Sequence, residues 1–502
     1  LQIYKMTEGP NAFFSQLGDV ATNLLNIYNE NLSTADENLT EELYTSLQIA
    51  YDAFIEKAKE AGYLADASSL IVNEIQVCNT DQFVDPSFNY GGWVELYNPT
   101  NSIIKLSGLY VSGESTNPTQ FLIPSTTETI APKSFHTLWF DHNAADGYYG
   151  GKAENQVNFK LEAEGDTLFL FDHNGTLLLS QTYPAGIPRC SWARTTDFGN
   201  EWMMCSTPTP GKSNSGSSFS QQRLAAPVVD TDGTLFVQPF SVHVTIPQGT
   251  VLKYTTDGTT PTLSNGMTSA DGTFSIQKTT VLRFCLFADG YLPSPVVTRS
   301  YIYRNHDYYL PVISVVTNPD NLYDDTIGVY TKGTNGRVGN GQSSACNWNM
   351  DWERPVNVEY MEPVSTDGSI DYLTRINQEA DFEISGGWTR AYGGGTVDGK
   401  YWPMKSSFRI KTDKRYEGKN SLDYPVFPNK PYNKYKVWQV RNGGNDTHAR
   451  IIDPSLGQMV IQSGFNVDAQ DCQSAHVFFN GEYLGMLNIR ESNNRHYGYS
   501  NF

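Results

Sequence analysis

Residues 71–111 read IVNEIQVCNTDQFVDPSFNYGGWVELYNPTNSIIKLSGLYV, and the fold of the chain is decided by how that stretch is periodic. Ile71-Val72-Asn73-Glu74-Ile75, Trp93 to Tyr97 and Leu106 to Val111 are short runs of alternating or β-branched residues, and Gly, Asn and Pro turns separate them. Side chains on a strand repeat every two residues, so such runs predict strands. The pattern continues to Pro208-Thr209-Pro210-Gly211, which predicts a β-sandwich.

Upstream the period changes. Phe13, Leu17, Val20, Leu24 and Tyr28 recur at helical spacing, as do Leu39, Leu43, Leu47, Ala50, Tyr51 and Phe54, with Gly62 placed to stop the second run. Residues 1–66 are therefore expected to be a helical hairpin serving as a spacer. Downstream, Lys212 to Gln221 is Ser-rich and marks a boundary. A second short β unit opens at Ala226-Pro227-Val228, with Asp257-Gly258 supplying a tight turn that Pro261 stiffens.

Composition narrows the function classes. The 502 residues exceed one core and predict several domains. Tyrosine (30) and phenylalanine (25) are abundant while charged residues make up only 18%, as in β-rich extracellular proteins. A net charge of −19 excludes a basic nucleic-acid-binding face. No apolar run of membrane-spanning length occurs, and the start at Leu1 without a signal peptide is read as a mature or trimmed chain. Six cysteines are too few for a disulfide scaffold, and no metal site is expected from their spacing. A hairpin of residues 191–194 with 201–204 would place Cys190 opposite Cys205, within bridging reach, or leave two buried thiols.

Three resemblances rest on these residues. The series VNEI (72–75), WVELYNPT (93–100) and LSGLYVSG (106–113), closed by SWAR (191–194) and PTPG (208–211), resembles a lamin-tail domain over 67–214. That resemblance implies an immunoglobulin-like attachment module. VLKYTTDGTTPT (251–262), TTVLRFCLFADG (279–290) and SYIY (300–303) resemble the C-terminal β-sandwich of chitobiases and β-hexosaminidases, over 222–305. That appendage lacks a glycosidase carboxylate pair, so Asp257 is read as a turn residue.

Finally, YLPVISVVTNPDNLYDDTIGVYTKG (309–333), WERPVNVEYMEP (352–363), FEISGGWTRAYG (382–393), WPMKSSFRI (402–410), VRNGGND (440–446) and HVFFNGEYLGMLNIRES (476–492) follow the order and spacing of a CotH-type kinase over 306–502. Strands at 310–317, 354–360, 380–385, 406–411, 435–440 and 475–480 and a helix near 453–463 predict a mostly antiparallel, N-lobe-like α+β layout. The resemblance implies ATP and Mg2+ as cofactors, with Lys405 gripping phosphate and Glu491 placing its amine. It also implies catalytic aspartates in a second lobe. Nothing of that kind follows Asn493, so no catalytic residue is expected in this chain. The family's Lys-Lys-Ser-Tyr run is Lys405-Ser406-Ser407-Phe408 here, and its aromatic G-x-Y element is Gly485-Met486-Leu487.

The fold expected is thus multi-domain and mainly β: a helical hairpin, two immunoglobulin-like sandwiches and a kinase-like N-lobe. Its function is expected to be that of an extracytoplasmic cell-envelope protein, carrying an incomplete CotH-like domain behind attachment modules. The alternative is a non-catalytic scaffold that binds surface glycan or protein. Partners are then an extracytoplasmic protein or a cell-surface glycan, in a secreted, periplasmic or surface location, lipid anchoring included.

Overall fold

The computed structural model describes residues 26, 41–60, 62, 64–124, 129–141, 156–339, 344–366, 368–387, 390, 396, 397, 400, 401, 406–427, 429–444, 446, 450–494, 497 and 498. The first expected helix (residues 11–28) lies outside these, apart from the single helical position 26. The second forms over Glu41–Glu60 and buries Phe54 and Ala58.

The alternating runs do become strands. Ile71–Gln76 and Gly92–Tyr97 pair antiparallel at the centre of a seven-stranded sheet, and four- and three-stranded sheets accompany it. The common core of Val72, Ile75, Val94, Leu96, Ile104 and Leu138 is fully or nearly fully buried. The outermost strand of the large sheet is Phe219–Ser220, so this sandwich runs past the expected linker start into the Ser-rich stretch. The second β unit holds a five-stranded sheet and a two-stranded one around Leu252, Phe284 and Tyr301.

The C-terminal part is built on β1 (Val312–Val316), β2 (Arg354–Thr366), β3 (Ser369–Ser385), β4 (Ser407–Lys411), β5 (Val437–Arg441), β6 (Cys472–Phe479) and β7 (Glu482–Glu491). These close into a barrel in the order β1-β2-β3-β4-β5-β7-β6, with β6 returning parallel to β1. Closure removes both sheet edges and turns inward one face of each strand. Phe382, Phe408, Ile410, Trp438, Val440, Leu487 and Ile489 fill the inside. All six expected strands and the helix (Ile452–Gln462) form, but the seventh strand was not expected. Asn480 (φ 47) and Gly481 (φ 83) make the tight turn that folds β7 back on β6.

The barrel does not stand apart. The far end of the β2–β3 hairpin reaches over the second sandwich, where Met361 and Tyr372 share a core with Leu235 and Ile302. Thr234 donates to Tyr372 O (2.9 Å) and Asn377 to Thr298 O (2.8 Å) across that seam. The Asp257-Gly258 turn docks on the barrel too. Asp257 Oδ1 accepts the Thr259 N–H at 3.0 Å, as a turn residue does. A Cβ on Gly258 (φ +88) would stand 2.2 Å from Thr317 O, so only glycine fits there.

Candidate functional site

The expected nucleotide grip was Lys405 with Glu491. Lys405 lies outside the described residues. The next residue, Ser406, is fully buried and donates to Arg390 O at 2.7 Å. Glu491 closes β7 and is 3% exposed, so it is no edge charge. Its Oε2 accepts the Asp471 N–H at 3.0 Å and lies 3.1 Å from Lys430 Nζ. Lys430, from the loop before β5, is thus the described cation beside Glu491. The Lys430 ammonium also lies 5.6 Å from the Tyr497 ring centroid. Asp471 extends the cluster, accepting the Asn429 N–H at 3.0 Å. The acidic set that Mg2+ needs is not assembled among the described residues, where no three metal-capable side chains converge.

Other polar residues of this part serve local turns and packing. Asp446 accepts the Ile452 N–H at 2.7 Å, capping the helix that follows it. Asp324 accepts the N–H groups of Thr326 and Ile327. His476 Nδ1 sits 2.9 Å from the Tyr483 hydroxyl, inside an aromatic cluster with Tyr308.

Of the two outcomes expected for Cys190 and Cys205, a bridge or two buried thiols, the structure holds the second. The hairpin forms, but its loop closes on the Thr195 N–H to Glu201 O bond, and the ladder sets Ser191 opposite Cys205. The register is one residue away from the one that would face the two cysteines, and Cys190 falls outside the ladder. Both are buried free thiols, and burial pushes that of Cys190 up to about 12.

Two features were missed from sequence, and both join charge to burial. One is an ionic junction where the three β modules meet. Arg189 of the first sandwich holds Asp81 (2.8 Å) in its own module and Glu379 (2.7 Å) on β3 of the barrel. Arg283 of the second sandwich reaches the same Glu379 at 3.3 Å, and Thr260 donates to Asp81 at 2.6 Å. Burial opposes ionisation of Asp81, yet Arg189 and the Thr260 hydroxyl hold its carboxyl below the usual range. A cleft of about 740 Å³ opens over this junction.

A larger cleft, about 1000 Å³, separates the first sandwich from the barrel rim. Lys160 bridges Asp413 (3.1 Å) and Glu353 (3.9 Å) across it, and Lys411 bonds Glu353 and Glu383. Burial works against the Glu353 charge, but Lys411, Lys160 and Arg415 keep its carboxyl far below the ordinary value.

The second missed feature is a pair of buried carboxyls inside the first sandwich. A bulge at Asn73 shifts the register so that Glu74 faces Glu95 directly, like charge against like. Glu74 accepts Thr209 N and Oγ1 at 3.1 Å, and Glu95 accepts Gly211 N (2.7 Å) and Lys212 N (3.1 Å). The two therefore clamp the returning 209–212 segment. Burial pushes Glu74 up to about 7 and Glu95 up to about 8, and these donors offset only part of it.

With this geometry in place, the comparisons with known proteins can be stated. A search of the curated proteins finds no match. Residues 65–185 match the family model described as Lamin Tail Domain, and residues 232–298 match that of the Chitobiase/beta-hexosaminidase C-terminal domain. Both matches fall on the two sandwiches and neither reaches the barrel, so what the chain is similar to is a pair of attachment-type β modules.

Proposed function

We propose that this chain is an extracytoplasmic cell-envelope protein, in which two attachment-type sandwiches hold a CotH-like barrel as a fixed, non-catalytic binding platform for surface glycan or protein. The observation that carries the reading is the three-module junction of Asp81, Arg189, Arg283 and Glu379. A tether between independent modules needs no buried charge at their meeting point, because breaking such a set leaves uncompensated ions. Rigid orientation is what that cost supports. The name of the second matching family, drawn from enzymes of amino-sugar polymers, favours glycan as the partner class.

A second reading, in which the barrel binds nucleotide as part of an atypical kinase, is favoured by the buried Lys430–Glu491 pair. One calorimetric comparison separates the two. The intact chain is titrated with ATP and Mg2+, and separately with chitin-type and peptidoglycan-type oligosaccharides and envelope proteins. Saturable ATP binding that Lys430→Ala abolishes would overturn the platform reading. Glycan or protein binding that survives Lys430→Ala, with no ATP signal, is the expected result.

A further inference from the structure

The helix Ile452–Gln462 is turned the wrong way round for a surface helix. An amphipathic helix ordinarily buries its apolar stripe, and eleven residues of isolated helix are marginal without such burial. Here none of the helix residues is buried. Polar groups hold it to the barrel: Asp453 bridges Arg441 and Arg490 at 3.1 Å each, and Gln458 donates to Asp471. Its apolar residues Ile452, Leu456 and Met459, spaced four and three apart, are 58%, 57% and 66% exposed. Ile451, Phe465 and Val467 extend the patch at 54%, 72% and 64% exposed.

Six such side chains present on the order of 600 Å² of apolar surface, the upper end for the largest patch on an ordinary monomer. A standard interface takes about 800 Å² from each partner, so the stripe with its rim is of the size a stable dimer needs. Charge narrows the occupant. Between Ile451 and Val467 the only ionisable residue is Asp453, which two arginines neutralise, and of the flanking charges Asp468 is paired with Lys430 and Arg450 donates to Met486 O. On a chain of net charge −19 this is a face where a second copy can approach without like-charge repulsion. About a two-fold axis the same patch meets itself, and an uncharged apolar stripe then sets no like charges against each other. An anionic membrane would call for free basic residues at the rim, and the three arginines there are engaged, Arg441 and Arg490 with Asp453 and Arg450 with Met486 O.

We propose that the helix Ile452–Gln462, with Phe465 and Val467, is the interface of a two-fold homodimer. Sedimentation velocity of the whole chain from about 1 to about 100 µM tests it. A dimer is expected, and the Leu456→Glu, Met459→Glu double variant should weaken it at least about 100-fold with an unchanged melting profile, since the replaced side chains touch no core. Met459→Cys should give a disulfide-linked dimer under mild oxidant, a readout that survives if the charged variant misfolds. A chain that is monomeric at the highest concentration overturns the proposal. So does a dimer indifferent to both changes, or a stripe that binds neutral lipid vesicles or is shielded by residues 495–502 in the monomer.

Discussion

Replacing Glu95 by glutamine should flatten the pH dependence of the first sandwich. Both clamp carboxyls have folded values above the ordinary 4.5, Glu95 at about 8 and Glu74 at about 7. The sign follows from linkage: the unfolded chain releases its protons from about pH 4.5 upward, whereas the folded clamp retains them. The stability contribution is therefore complete below that pH and is lost as pH rises toward about 8. At about 1.36 kcal/mol per pKa unit, Glu95 alone could carry about 5 kcal/mol. The two groups face each other and titrate together, so we expect about 2–3 kcal/mol for the pair. For a domain of this size that is a fall of about 5–10 °C in melting temperature between pH 5 and pH 8. Glutamine keeps an oxygen for the Gly211 and Lys212 N–H groups but cannot ionise, which should remove the Glu95 share of the slope and leave the shares of Glu74 and of Asp85, which burial also pushes up to about 7. Scanning calorimetry on both proteins at several pH values is the assay. Equal slopes in the two, or stability that rises between pH 5 and pH 8 in the parent, would refute the reasoning.

Two further outcomes follow from the seams between modules. Arg189→Ala leaves Asp81 with only the Thr260 hydroxyl and Glu379 with only Arg283, and should cost up to about 3–5 kcal/mol, with a larger radius of gyration by small-angle scattering; an unchanged radius and melting temperature would show the junction to be ornamental. Gly258→Ala places a methyl against Thr317 O at a positive φ and should cost at least about 1–3 kcal/mol. Proteolytic cutting should then increase at the loop between the second sandwich and the barrel, and resistance equal to the parent's would count against docking through that turn.

What was legible in the sequence divides by range. Period-two runs announced the strands because side-chain alternation is local, and turn residues such as Asp257-Gly258 announced their own geometry. The barrel was only partly legible. Asn480-Gly481, flanked by apolar alternation, is a hairpin signal that separates β6 from β7, and with the last expected strand ending at 480 the closing strand was left out. Register was harder still. A single bulge at Asn73 brings Glu74 and Glu95 together, and a one-residue offset in the next hairpin sets Ser191, rather than Cys190, before Cys205. Neither leaves a mark in composition or period.

The ionic junction was illegible for a different reason. Asp81, Arg189, Arg283 and Glu379 are separated by as many as 298 positions (379 − 81) and come from three modules, each of which reads as complete without the others. A family match describes a module by what its members share, so it cannot contain a contact that exists only when these three stand together. That is why the two matches identify the sandwiches and leave their joint purpose open. The proposed platform rests on the seams: Glu379 satisfies arginines from two other modules, Lys160 bridges the wide cleft to Glu353 and Asp413, and Gly258 carries no side chain where the turn seats on the barrel. Modules used as loose beads would lose nothing if those residues were exchanged for ordinary surface ones. If exchanging them leaves the assembly's shape and stability intact, orientation is not what this chain was built to hold, and the platform reading falls with it.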